Sequence, residues 1–195
     1  MKTSLTKKDV AQRQLVTAIR LFFDSGDPVS VYSLSANAWE IIDEICTKSG
    51  TNSLSNQTRE NIPKKQDLKR DFINSPYRNF FKHADRDTDA ILVDFDETKV
   101  DSVVFLAVED YLRLANKSPV EFQVFQLWYL AIYTEKISTY SIDEIMPVID
   151  SAFTNIRNMI RKDQILLGRK VLDDALVDIE LNRDTRTEKV SVTYE

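Results

Sequence analysis

One histidine occurs in 195 residues: His83, five positions after Arg78 in the stretch SPYRNFFKHADRD. Imidazole titrates near neutrality and can take a proton from a ribose 2′-hydroxyl. A guanidinium can hold a phosphate at two points and stabilise the charge that grows on its oxygens. Together the two groups suit phosphodiester cleavage of RNA. Wound as a helix at about 100° per residue, the stretch divides into two faces. Arg78, Asn79, Lys82, His83 and Arg86 share one face, while Tyr77, Phe80, Phe81 and Ala84 share the other. Asn79 and His83 are four positions apart, so their side chains can meet on a helix. The bland alternative is a solvated cationic face on a surface helix.

The elements around this stretch read as helices. Only three glycines occur in the chain, and sheet-rich or phosphate-cradling folds depend on glycine for tight turns. Leu15, Ile19, Phe22 and Phe23 form one apolar stripe, which predicts a helix over 6–25. Asp27-Pro28 is an N-cap followed by proline in the first turn, opening a helix over 28–48 that Gly50 ends. Residues 50–63 are polar and aperiodic and read as a loop. A short helix is expected over 64–74, and Ser75-Pro76 restarts one that runs to about Arg86. Residues 89–96 read as a short irregular or extended segment, and helix returns over 98–116. Ser118 and Glu121 form a capping box before the apolar run FQVFQLWYLAIY, which predicts a central helix to about 135. Ser141 and Glu144 form another capping box, and the helical pattern then runs to about 182 with breaks expected near Pro147 and Gly168. The reading is all-α, with one helical domain over 1–183 and a tail over 184–195 that can be disordered.

Arg78-Asn79-Phe80-Phe81-Lys82-His83 resembles the signature of the HEPN superfamily, the higher eukaryotes and prokaryotes nucleotide-binding domains. That signature is an arginine, usually followed by a polar residue, with a histidine a few positions on. The resemblance implies an all-α HEPN-like helical bundle and a metal-independent endoribonuclease, toxin-like, without a cofactor. In it His83 would act as base or acid at the 2′-hydroxyl, Arg78 would hold the phosphate and Asn79 would orient His83. Lys82 and Arg86 would bind the substrate from the same face. Such sites usually form where two protomers meet, which implies a homodimer acting on RNA or a nucleotide. Some members carry a tyrosine two residues after the histidine, which a partner nucleotidyltransferase modifies. Asp85 stands there in this chain, which argues against that antitoxin pairing and sets a carboxylate near the site. The partner, antitoxin or other protein, stays open. The rival expectation is a non-catalytic HEPN-like module that binds a nucleotide or a protein.

Charge and composition narrow the classes further. The net charge is −5, yet residues 64–86 carry seven cations against three aspartates. A cationic patch on an acidic body suits a specific anionic ligand better than general adhesion, and DNA is not expected. The single cysteine, Cys46, allows no intrachain disulfide, and without a Cys/His cluster no zinc site is expected. Cys46 reads as a buried thiol, and Trp39 and Trp128 as core. MKTSLTKKDVAQRQ has no apolar signal core, and the longest apolar run is too short to span a bilayer. A cytoplasmic protein without membrane contact is expected. ILVDFDETKV resembles the nucleophile motif of haloacid dehalogenase-like phosphatases, with Asp94 and Asp96 as its two acids. That fold needs a parallel sheet, and further strand signals are missing.

Overall fold

The computed structural model describes residues 4–85, 88–136 and 142–190, apart from the Pro76 side chain. Among the described residues the fold is an all-α bundle without a sheet. Helix α1 is Lys7–Phe23 and α2 is Pro28–Ser49. Thr6 and Asp9 close a capping box at the start of α1. Asp27 accepts from the Ser30 backbone N–H at 2.9 Å and opens α2, with Pro28 at its first position. Gly50 ends α2 at φ +69°, in the left-handed region where glycine carries no penalty. The two helices lie against each other and against α5, Thr98–Ala115.

The expected loop at 50–63 contains a helix, α3, Leu54–Asn61. Its hydrophobic pattern is weak because what fixes it is polar. Ser55 is fully buried, and its backbone N–H and hydroxyl both donate to the Asp110 carboxylate, at 3.0 and 2.5 Å. The Trp39 indole N–H donates to the same Ser55 hydroxyl at 2.8 Å. An anchor 55 residues away, on α5, has no local signature.

Leu68–Arg78 is helical but broken at Ser75, whose φ −106° and ψ 138° are extended. Ser75 precedes a proline, and such residues are excluded from the α region. The helix that restarts continues as α4, Asn79–Lys82, and stops there rather than near Arg86. Residues 89–96 are irregular, as expected, with Ile91 and Val93 largely in solvent.

The central helix α6, Val120–Ile132, is buried along most of its length, as its apolar run predicts. Phe22, Phe23, Phe125 and Trp128 form an edge-to-face cluster where α1 meets α6. The expected capping box at its start does not form. The Ser118 N–H and C=O instead pair with the backbone of Arg186 and Glu188, each at 2.9 Å, and buried Glu121 accepts from Arg20. The first part of the expected tail, to residue 190, thus lies against the bundle, and 191–195 lie outside the described residues. Glu188 accepts from the Tyr111 hydroxyl at 2.6 Å and pairs with Lys8 at 3.0 Å, tying the tail to α5 and α1.

Helices α7, Ile142–Ala152, and α8, Arg161–Val177, pack on α6, and the short α9, Ile179–Arg183, follows. Ser141 lies outside the described residues, so the second capping box does too. The breaks expected at Pro147 and Gly168 are absent. Pro147 sits in the second turn of α7, where its missing N–H costs one helical bond near the end. Gly168 is inside α8, against the rings of Phe23 and Trp128, where a Cβ would come within 2.9 Å of Trp128 Cδ1. Gly168→Ala should therefore lower stability by about 1–3 kcal/mol, the usual cost of overpacking a core. Urea denaturation of the variant checks it, and an unchanged midpoint would mean the helices can part freely. The real discontinuity between α7 and α8 is at Asn155, φ +60°.

Candidate functional site

The segment carrying Arg78 and His83 is held from below by aromatic rings. Tyr77 is buried and packs on Tyr32, Phe81 and Phe95. Its hydroxyl accepts from the Asp96 N–H at 2.9 Å, and the Tyr32 hydroxyl donates to the Ile73 carbonyl at 2.8 Å. The anchors are thus Tyr77 and Phe81. Phe80, expected on the buried face, is exposed, and so is Ala84, because α4 ends before it.

Arg78 does not lie on a solvated face. Its side chain is 8% exposed and points at α2. One terminal nitrogen donates to Asn37 Oδ1 at 2.7 Å and reaches Glu40 Oε2 at 2.5 Å, and the other donates to Asn74 Oδ1 at 3.2 Å. Glu40 also meets Lys69 at 2.5 Å. Burial raises the Glu40 carboxyl, but Lys69 and Arg78 outweigh it and hold the group below the ordinary glutamate range. A lowered folded-state pKa gives stability that is present above the unfolded value and lost as pH falls through the folded one. The melting temperature should therefore fall as pH drops below about 4.5, the ordinary glutamate value. Glu40→Gln should flatten part of that fall, and scanning calorimetry at stepped pH measures it.

His83 sits just past the last turn of α4, with φ −121° and ψ 76°. Its N–H closes on the Asn79 carbonyl at 3.1 Å. The imidazole Nδ1 stands 3.7 Å from Asp85 Oδ1, an ion-pair distance too long for a hydrogen bond, and the ring is 36% exposed. Asn79 is exposed and makes no side-chain bond to His83, so the expected orienting contact is absent. Lys82 is exposed beside them, and Arg86 lies outside the described residues. Within one chain the structure therefore separates what the sequence grouped. Arg78 is turned inward, while Asn79, Lys82 and His83 face out.

The residues that sequence reading missed are Asn37, Asn74 and Glu40. Asn74 is visible in retrospect as an i, i+4 partner of Arg78. Asn37 and Glu40 are one helical turn apart on α2, but nothing in their own neighbourhood names the arginine 38 to 41 positions on.

The competing motifs resolve as local structure. Asp96 Oδ1 accepts from the Thr98 N–H at 3.0 Å and from its hydroxyl at 2.6 Å, making the turn into α5. The parallel sheet that a haloacid dehalogenase-like site requires is absent among the described residues. Cys46 is buried, and burial pushes its thiol up to about 12, so it is no nucleophile at neutral pH. Among the described residues no group of three acids, cysteines or histidines is placed to hold a metal ion, and no helix is long and apolar enough to cross a membrane. No protein-family model, curated protein or solved structure matches the chain.

Proposed function

We propose that this chain is a cytoplasmic, HEPN-like interaction module, non-catalytic, that self-associates through an apolar face including Phe72, Phe80, Ile91 and Val93. The observation that carries this reading is the engagement of Arg78. A guanidinium already paired with Glu40 and bonded to two asparagines is poorly placed to clamp a phosphate, since those bonds would first have to break. Three of the seven cations in the stretch are already paired: Lys69 and Arg78 share Glu40, and Arg70 holds Asp71. Beside its polar groups the stretch also offers apolar ones outward, with Phe72, Phe80, Ile91 and Val93 all exposed. Exposed apolar groups in number mark association surfaces.

The second reading is a toxin-like, metal-independent ribonuclease. It is favoured by the His83 imidazole, which is 36% exposed and so open to a substrate. Two measurements separate the readings. Incubated with unpaired RNA and EDTA, the purified protein should leave the RNA intact at any concentration. Light scattering at micromolar concentration should show a dimer that Phe80→Asp together with Ile91→Asp returns to monomer. Cleavage by the parent protein that His83→Ala abolishes would establish the nuclease instead. A monomeric parent would remove the self-association.

A further inference from the structure

A cleft of about 680 Å³ opens between α3, the broken segment 68–77, α5 and the end of α6, and neither Arg78 nor His83 lines it. Its volume is in the range of small-molecule sites, roughly 300–1,000 Å³. Aromatic and aliphatic side chains make up most of its walls. Phe105 and Tyr129 are stacked at 4.0 Å between centroids, and Phe72 and Tyr77 add two more rings. Phe72 is left exposed at the cleft although it is large and apolar. The charged groups of the cleft are two lysines and one aspartate. Lys99 and Lys136 both line it, and among the described residues neither is in an ion pair, although Lys99 lies near enough to Asp96 to help Thr98 hold that carboxyl below its ordinary range. Lys99 rests over the Tyr77 ring at 5.3 Å. The single acid in the lining, Asp71, is held by Arg70 at 2.7 Å and by the Asp67 backbone, which keep its carboxyl well down, at about 2. The Ser102 and Tyr129 hydroxyls, 3.5 Å apart, complete the polar edge.

We infer that this cleft binds a small organic anion with a flat aromatic body, such as an aryl carboxylate or sulfonate. The rings take the aromatic body by stacking and edge contacts, worth more than area alone. The two lysines take the anionic group, for which the site has no charge of its own to offer in competition once Asp71 is tied to Arg70. The hydroxyl pair donates to the same group or to a water beside it. The cleft adjoins the proposed association face, since Phe72 belongs to both, but Phe80 and Ile91 lie outside its lining, so the Phe80→Asp/Ile91→Asp pair and the lysine reversals test the two readings separately.

The test uses the folded, full-length chain and the fluorescent probe 1-anilinonaphthalene-8-sulfonate. The probe should bind saturably, and naphthalene-2-carboxylate should displace it. The neutral 2-naphthalenemethanol should displace it about tenfold less well, the value of one charge-assisted contact. Lys99→Glu with Lys136→Glu should weaken the probe by about tenfold or more, whereas Lys82→Glu, on α4, should leave it unchanged. Leu106→Trp should block the cleft, with circular dichroism to verify folding. The two lysines are exposed, so their reversal tests the site even if the tryptophan variant fails to fold. Absence of saturable binding, equal displacement by the neutral alcohol, or affinity unmoved by the lysine reversals would overturn the assignment.

Discussion

Arg78→Ala should cost about 3 kcal/mol of folding stability, while His83→Ala should stay within about 0.5 kcal/mol of the parent. The contrast follows from where the two side chains go. Removing the guanidinium leaves Asn37 and Asn74 without their donor and Glu40 with Lys69 alone. Breaking a buried pair from one side usually costs about 3–5 kcal/mol, and the partial exposure of Glu40 sets the expectation at the low end. His83 is at the end of a short helix and, among the described residues, makes no side-chain hydrogen bond and has Asp85 as its one ion-pair neighbour. Surface substitutions of that kind are nearly neutral. Arg78→Lys should recover only part of the loss, because an ammonium cannot reach both asparagines and Glu40 from one planar group. Denaturant titrations of the three variants decide the matter. An Arg78→Ala variant as stable as the parent would mean that the arginine is free to work elsewhere, and would return the nuclease reading to first place.

Asp101→Ala should be at least as damaging, with a loss of about 3–5 kcal/mol. Asp101 is fully buried on α5, and Arg161 at the start of α8 donates to both its oxygens, at 2.5 and 2.6 Å. The same guanidinium lies over the Phe22 and Trp128 rings, each at 5.4 Å. Without the carboxylate, a cation is left against the aromatic core with its counter-charge gone. The ring contacts recover only part of that. Arg161→Met should cost as much, since it leaves the fully buried Asp101 carboxyl without its donor and counter-charge, while Arg161 itself is partly open to solvent. A loss below about 1 kcal/mol for Asp101→Ala would mean that solvent reaches Arg161 once its partner is removed.

Much of the architecture was legible in the chain because its signals are local. The stripe Leu15, Ile19, Phe22, Phe23 specifies α1 by period alone, and Asp27-Pro28 and Gly50 bracket α2 through backbone chemistry that needs no distant partner. The apolar run in α6 announces a central helix because no solvated face could be made from it. Where the sequence misled, a tertiary contact had taken the signal over. Ser118 and Glu121 had the spacing of a capping box but were spent on the tail and on Arg20. Gly168 looked like a stop but serves as a gap into which Phe23 and Trp128 fit. Leu54–Asn61 looked like a loop because its anchor is the Asp110 carboxylate on another helix.

The candidate site divides in the same way. The sequence alone determined that one arginine and one histidine stand close together on a helical stretch that Ser75-Pro76 restarts, with aromatic residues beneath them. Spacing along a helix fixes which residues are neighbours. It does not fix which of two polar groups finds a better partner in the rest of the molecule. That was decided by the packing of Tyr32, Tyr77 and Phe81, which brings the segment onto α2 and sets Arg78 beside Glu40. A charge brought that close to an opposite charge, out of water, is bound more strongly than one left on the surface. The arginine is therefore drawn inward and the histidine, past the end of the helix, is left outside.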